Sequence, residues 1–418
     1  LERYVISGGK PLRGVIDITG AKNAALPIIA ACLLTEEAVL LRNMPSLTDI
    51  GVMQGILHSL GVNSQLTAGD FFVHPNVVKS HIIPENLMQE MRSSVIIVGP
   101  LLARYGKVSA SYPGGCAIGA RPIDLHIMGL RALGATIVEE GRGSLTVTAK
   151  KLRGARVKLT SPSVGATENI MMAASLAIGD TIIENAAKEP EVVDLQNFLN
   201  AMGGKVSGAG TDCIHISGVS SLSGTEYTIM SDRIVAGTYL LAALMTEGEI
   251  TVRSVVPEHL EPLLVVLRAM GAELSLTASE VKCRVRGRPQ AVGEIVTSPH
   301  PGFPTDLQAP MLAALCLAEG TSVLTEGVFE SRFGHVEELN RMGACVAVDG
   351  SQAVIKGVAR LTGAVVKATD LRAGAALTLA GLSARGTTVV EDVYHIDRGY
   401  VAIEESLARL GGQIRREK

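Results

Sequence analysis

The sequence has no tryptophan, and aromatic residues make up 3% of its 418 positions. Apolar residues still reach 47%, so the core must be built mainly from Val, Leu, Ile, Ala and Met. The net charge of −3 leaves no excess of either sign, which argues against bulk attraction to nucleic acid or to an anionic membrane. An anionic ligand would have to be caught by a local cluster of Lys and Arg. None of the six cysteines stands in a C-x-x-C pair, which disfavours a zinc ribbon or a thioredoxin-like site. Six scattered cysteines in a chain of this length do not form a disulfide framework. Apolar runs such as Tyr239 to Met245 fall far short of the ~20 residues a bilayer requires. H-E-x-x-H, G-x-x-x-x-G-K-[ST] and G-x-G-x-x-G are all missing, so no metal, no P-loop nucleotide and no dinucleotide cofactor is expected. Leu1-Glu2-Arg3-Tyr4 opens no signal-peptide pattern, and the expected location is cytoplasmic.

What is present is a repeat. The chain is long enough for two or three domains, and an apolar-Gly pattern recurs at Gly61, Gly134, Gly203, Gly271, Gly343 and Gly411. The spacings are 73, 69, 68, 72 and 68 residues, so about six units account for the chain. In each unit a helix of small and apolar residues, such as Asn169 to Ile178 or Asp306 to Leu317, leads to a turn. The turn falls at Gly106, Gly179, Gly248, Gly320 or Gly386, with Glu36 in the first unit. A β-branched strand follows, such as Thr181 to Glu184 or Thr387 to Glu391. A second helix then ends at the repeated glycine, a residue suited to a helix C-terminus. Alternating stretches after it, such as Ala344 to Val348, complete a mixed α/β unit. A repeat scaffold without chemistry, one that binds a nucleotide sugar, is the plain alternative.

The charges follow the same register. Fourteen residues before the turn anchor stand Lys22, Arg92, Asp306 and Arg372, and fifteen before it Arg233; the third unit has Gly165. A helix N-terminus attracts anions through its free N–H groups and dipole. Cations there oppose the helix and suggest a distributed anion trap. Asp306 on its own reads as an N-cap.

The second unit is longer. From turn glycine to repeat glycine it spans 28 residues, against 23 to 25 in the later units. The extra residues fall within Ser111 to Arg121, a Gly-rich stretch carrying Cys116, and loops that depart from a scaffold are where function concentrates. Arg121 lies five residues on and would favour the thiolate, making Cys116 a nucleophile or an acid. The other five cysteines sit in apolar contexts and read as core residues.

Pro113-Gly114-Gly115-Cys116-x-Ile118-Gly119-x-Arg121-Pro122-Ile123-Asp124-Leu125-His126 resembles the active-site loop of the UDP-N-acetylglucosamine enolpyruvyl transferases. Gly20-Ala21-Lys22-Asn23-Ala24-Ala25-Leu26-Pro27, Pro304-Thr305-Asp306-Leu307-Gln308-Ala309-Pro310 and Asp370-Leu371-Arg372-Ala373-Gly374 match further motifs of that family. The resemblance spans the whole chain. It implies an α/β fold, a two-lobed inside-out α/β barrel of six repeats, three to a lobe. One lobe would run over residues 22–229, with the Cys loop at about 111–121. The other would take 1–21 and 230–418, with the substrates between them.

The implied reaction moves the enolpyruvyl group of phosphoenolpyruvate to the 3′-hydroxyl of UDP-N-acetylglucosamine, with release of phosphate, at the entry to peptidoglycan synthesis. By the same resemblance Lys22, Arg121 and Arg398 hold the phosphate, Arg372 holds the carboxylate, and Asn23 touches both substrates. Cys116 donates a proton to C3 or attacks C2 to form an adduct, and Asp306 is the base candidate. Arg92, Arg121, Pro122, Ile123, Asp124, Leu125, Ser163, Val164, Gly165, Asp306 and Val328 contact the nucleotide sugar. His126 and His395 are structural or binding residues. No cofactor and no protein partner is implied. The sister enzymes acting on shikimate 3-phosphate share the repeat, but the Cys-bearing loop argues against them.

Overall fold

The computed structural model describes residues 2–114, 122–140 and 143–418, without the side chain of Glu140. Cys116 and Arg121 lie outside the described residues. The chain divides into two compact units. The first takes in residues 20–114 and 122–230, the second residues 2–19 and 231–418. Each has its own hydrophobic core.

Three helices make the heart of the first core. They are Lys22–Ala31, Val98–Tyr105 and Val164–Ala174, and most of their residues are buried. Arg233–Met245, Gln308–Leu315 and Leu371–Ser383 do the same in the second. A helix apolar on nearly every side belongs inside a core, not on its surface. Their small residues allow close approach, as at Gly99, where a Cβ would fall 2.3 Å from the Asn169 side chain.

The described strands form six sheets, five of four strands and one of three. Each of the five larger sheets has one parallel edge strand, and its other pairings are antiparallel. The three-stranded sheet Lys107–Ser111, Ser144–Thr148, Thr136–Glu140 is antiparallel throughout. Strands such as Asp180–Glu184 and Thr321–Thr325 alternate buried and less buried residues, as expected when one sheet face meets the core. No described sheet closes on itself, so the expected barrel is absent as a closed sheet; every sheet keeps two edges.

The glycines at 61, 134, 203, 271, 343 and 411 each follow a helix, with φ between 88° and 97°. That left-handed conformation suits glycine and ends the helix. Helix boundaries differ from the sequence reading. The helix expected at Asn169 already begins at Val164. The one expected from Asp306 is a short 3₁₀ turn, Thr305–Leu307, before Gln308–Leu315. No described helix is long and apolar enough to cross a membrane.

Candidate active site

In the first unit the chain enters at Gly20. Its N–H donates to the Asn43 carbonyl at 3.1 Å, and the next N–H, of Ala21, donates to the Met230 carbonyl at 2.7 Å. The approach is close enough that a Cβ on Gly20 would sit 2.0 Å from the Asn43 oxygen. Lys22 then opens the helix Lys22–Ala31, which has no side-chain cap. A missing cap costs about 1 kcal/mol, and a cation in the first turn about 0.3–1 kcal/mol more. Burying Leu26, Ile28 and Ile29 returns about 1.5–3 kcal/mol apiece, so packing wins. The Lys22 ammonium lies 3.0 Å from the carboxylate of Asp49. Asp49 is buried in the first turn of Thr48–Ser59, where the helix dipole favours an acid. Asn23 follows Lys22, half-buried.

Arg92 opens the 3₁₀ segment Arg92–Ile97. With Pro122, Ile123, Asp124, Arg131 and Glu139 it lines a cavity of about 480 Å³. Tyr112 borders the same cavity and donates to Glu139 at 3.0 Å. Asp124 begins the helix Asp124–Ala132, and Leu125 packs against the core. Ser163 caps Val164–Ala174 by accepting the Ala166 N–H at 3.4 Å, a long bond. Gly165 faces the His126 ring, which would lie 3.3 Å from a Cβ there. His126 is buried and its Nδ1 accepts from Asn169 at 3.0 Å, which puts its proton on Nε2. Asn169 also accepts the Gly99 N–H at 2.7 Å. His126 thus joins two helices beneath the predicted sugar-nucleotide residues.

In the second unit Asp306 does not act as an N-cap. Its two oxygens are taken by guanidinium groups, Oδ1 by Arg332 at 2.8 Å and Oδ2 by Arg372 at 2.9 Å. Here both partners carry a full charge, and each guanidinium group offers several donors to the carboxylate where a backbone N–H offers one. Arg372 is the second residue of Leu371–Ser383, whose cap is Asp370. Arg372 also donates to the Tyr400 hydroxyl at 3.2 Å, and Tyr400 and Thr238 share a bond of 2.9 Å. Burial opposes the Arg372 charge, but Asp306, Tyr400 and Asp232 outweigh it and hold the guanidinium above its ordinary range.

Arg332 donates to Thr305 Oγ1 at 2.7 Å, and Thr305 donates to Glu326 at 2.9 Å. Glu326 accepts the N–H groups of Val328 and Phe329, at 2.9 and 3.1 Å. One buried network therefore fixes both Asp306 and the turn that carries Val328. Arg398 ends the 3₁₀ segment Val393–Arg398. Burial lowers the pKa of His395 in the same segment, and the Arg398 charge lowers it further.

Of the residues singled out in the sequence, Asp306 and Arg372 meet directly, and Arg92, Pro122, Ile123 and Asp124 share one cavity. Lys22 pairs with Asp49, which the sequence reading had not singled out. Arg332, Thr305 and Glu326 were missed as well. Charged residues in a stretch such as Glu330-Ser331-Arg332-Phe333 look like ordinary loop surface in a sequence. The cysteine reading needs correction. Cys32, Cys283 and Cys316 are buried, whereas Cys213 is half-buried and Cys345 exposed. Cys345 starts the edge strand Cys345–Asp349, most of whose residues face outward. Among the described residues no group of three or more His, Cys, Asp and Glu is arranged to hold a metal.

The fold is similar to that of the enolpyruvyl transferase NikO from Streptomyces tendae, with a TM-score of 0.89 over 99% of this chain and 98% of that one, at 24% identity. It is also similar to the EPSP synthase of Acinetobacter baumannii, with a TM-score of 0.79 over the full length of both, at 20% identity. The chain belongs to the EPSP synthase (3-phosphoshikimate 1-carboxyvinyltransferase) family, which it matches over residues 6–407. Within it, the chain is 52% identical to UDP-N-acetylglucosamine 1-carboxyvinyltransferase 2 of Caldanaerobacter subterraneus subsp. tengcongensis, covering 99% of both. It is 50% identical to UDP-N-acetylglucosamine 1-carboxyvinyltransferase of Anaeromyxobacter sp., covering 100% of both. The protein of that name from Coxiella burnetii is 51% identical, with 100% of this chain and 96% of the other covered.

Proposed function

We propose that this chain is a UDP-N-acetylglucosamine 1-carboxyvinyltransferase, which moves the enolpyruvyl group of phosphoenolpyruvate to the sugar 3′-hydroxyl and releases phosphate. One observation carries the reading. Relatives bearing that activity in their names are 50 to 52% identical to this chain along its whole length. The product serves peptidoglycan synthesis, and the reaction belongs in the cytoplasm. The six glycine-ended helices and six small sheets support a sixfold repeat, three units to a lobe, with lobes of residues 22–229 and of 1–21 with 230–418.

Phosphoenolpyruvate brings a phosphate and a carboxylate, and both need cations, preferably guanidinium forks. Lys22, Arg121 and Arg398 take the phosphate, Arg372 the carboxylate, and Asn23 touches both substrates. Arg92, Arg121, Pro122, Ile123, Asp124, Leu125, Ser163, Val164, Gly165 and Val328 take the nucleotide sugar.

In the addition step C3 gains a proton from the Cys116 thiol, the sugar oxygen bonds to C2, and the hydroxyl proton departs. In the elimination step C3 returns a proton to the Cys116 thiolate and the C2–O bond to phosphate breaks, releasing phosphate. In the alternative the Cys116 thiol adds across the C2=C3 double bond, its sulfur bonding to C2 while C3 gains a proton, and gives a covalent adduct. Asp306 orients the hydroxyl and takes its proton. The Arg332–Asp306–Arg372 arrangement supports the orienting part of that role, since it holds the carboxylate in one orientation before substrate arrives.

The experiment is phosphate release from phosphoenolpyruvate with UDP-N-acetylglucosamine or with shikimate 3-phosphate as acceptor. Release with the nucleotide sugar alone is expected. Release with shikimate 3-phosphate alone would assign the chain to the sister activity, and release with neither would make it a non-catalytic binder.

A further inference from the structure

Met230, the last residue of the first unit, is held on both sides. Its carbonyl accepts the Ala21 N–H at 2.7 Å, and its own N–H donates to Asp194 Oδ2 at 3.2 Å. The other Asp194 oxygen, Oδ1, accepts the Tyr227 hydroxyl at 2.6 Å. Tyr227 is fixed in turn by an edge contact with Phe198, 5.3 Å between ring centroids. Asp194 lies in the helix Pro190–Ala201, packed against Lys22–Ala31, and is 7% exposed. Because the Lys22 helix has no side-chain cap, its start is set by the hydrogen bonds that the Gly20 and Ala21 N–H groups donate to the Asn43 and Met230 carbonyls.

We infer that Asp194 is a positioning residue for Lys22: its carboxylate seats Met230, and Met230 seats the Ala21 peptide from which the Lys22 helix starts. The inference rests on the proposed role of Lys22 as a phosphate ligand. Asp194 itself contacts no substrate.

The site needs a carboxylate because two donors, the Tyr227 O–H and the Met230 N–H, converge on it. An amide offers one acceptor oxygen and would turn its NH₂ toward one of them. The Asp194 carboxyl is raised to about 6, chiefly by burial and a little by Glu191, against the downward pull of the Tyr227 and Met230 hydrogen bonds. The other charged groups on the neighbouring elements are Glu168, Glu189 and Lys22. Glu226 and Arg42, beside Tyr227 on its strand, pair with each other at the surface. Above pH 6 Asp194 accepts both bonds. Below it, one oxygen carries a proton and the seat of Met230 loosens.

The test measures KM for phosphoenolpyruvate and kcat from pH 5 to 8, with UDP-N-acetylglucosamine, for the full chain, Asp194→Asn and Tyr227→Phe. Titration of the substrate phosphate is common to all three and cancels in ratios to wild type. At pH 7.5 the Asp194→Asn KM should be raised roughly tenfold, as for loss of one charged hydrogen bond, with kcat changed less. That ratio should fall toward one at pH 5, where wild type is protonated too. In Tyr227→Phe the acid rise in KM should move to higher pH, because a bond that favours the ionised form is gone. A readout independent of turnover is acetylation of Lys22 by an amine-reactive reagent, quantified by peptide mass. Asp194→Asn should speed it at pH 7.5, and if that variant does not fold, Tyr227→Phe serves in both measurements. A KM ratio that stays constant across the pH range, or unchanged Lys22 labelling, overturns the inference. Absence of turnover in wild type overturns the proposed function instead, and the labelling still decides the role of Asp194.

Discussion

Asp306 gives one carboxylate oxygen to each of two buried arginines, Arg332 at 2.8 Å and Arg372 at 2.9 Å. The two guanidinium groups play different parts. Arg372 continues to Tyr400, and through it to Thr238. Arg332 continues to Thr305, whose hydroxyl reaches Glu326 beneath Val328. Removing either cation strands part of a buried charge cluster, which typically costs 3–5 kcal/mol in a fully buried setting. Asp306 is partly exposed, so the loss here should be smaller.

Arg372→Ala should therefore lower kcat/KM for phosphoenolpyruvate by about a hundredfold or more, mainly through KM, because it is the proposed carboxylate ligand. Arg332→Ala should act mainly on kcat and on KM for the nucleotide sugar, through the orientation of Asp306 and the Val328 turn. Arg332→Lys should restore little, since one ammonium cannot copy a fork that reaches Thr305 and Asp306 together. Steady-state kinetics with each substrate varied in turn checks this. Equal effects of both alanine variants on the two KM values would contradict the division of labour.

Gly20→Ala should be among the more damaging single-methyl changes in the first unit. The added carbon would meet the Asn43 carbonyl at 2.0 Å, and backbone cannot step aside as a side chain can. Overpacking of this kind costs roughly 1–3 kcal/mol. Gly165→Ala is the milder comparison, since its new carbon meets the His126 ring at 3.3 Å. Thermal melts should show a clear drop in Tm for Gly20→Ala and a small one for Gly165→Ala. The opposite order would refute the geometric account.

Much of this is legible in the sequence. The register that put Lys22, Arg92, Arg233 and Arg372 at helix starts is matched by the helices and the 3₁₀ segment that begin at or one residue before them. Local periodicity and glycine spacing carry that information. The partners of those charges were not readable. Asp49 meets Lys22 only because two helices pack together, and Arg332 meets Asp306 from 26 positions further along the chain. The same limit explains the Asp306 cap. Asp before a helix is a good N-cap in isolation, yet two guanidinium groups brought in from elsewhere in the chain displace the backbone as its partners. Cys345 was misread because an apolar neighbourhood in sequence does not say which side of an edge strand faces out.

Glu168 offers a test through pH. It is buried in Val164–Ala174, and its Oε1 has no hydrogen-bond partner among the described residues. Burial, then the charges of Glu191 and Glu189, push its carboxyl well above the usual carboxylate range. The folded protein therefore keeps a proton that the unfolded chain releases at the ordinary Glu value of 4.5. Above that pH the folded state binds more protons than the unfolded one, so this group makes stability fall as pH rises, until its folded pKa is passed. Glu168→Gln removes the effect. Its Tm should nearly match wild type at pH 5 and exceed it increasingly at pH 6.5 and 8. A difference independent of pH would mean that Glu168 is not the buried acid described.

The cysteines allow the proposed nucleophile to be isolated. Burial pushes the Cys283 and Cys316 thiols up to about 12, and raises Cys32 as well, so these three have almost no thiolate at neutral pH. Cys213 and Cys345 are accessible to a thiol reagent and would obscure a whole-protein labelling count. The double variant Cys213→Ser/Cys345→Ala removes both, and neither residue belongs to the proposed site, so its kcat/KM should stay within about twofold of wild type. In that background a phosphonate epoxide should attach one equivalent, at Cys116, with loss of phosphate release in proportion. UDP-N-acetylglucosamine should change the labelling rate, since Pro122 to Leu125, just beyond the loop, are proposed sugar-nucleotide contacts. Adding Cys116→Ser should abolish attachment and leave the Tm unchanged. Attachment that persists, or that maps to Cys32, Cys283 or Cys316, would remove Cys116 from the chemistry and leave the Asp306 network as the centre of the reaction.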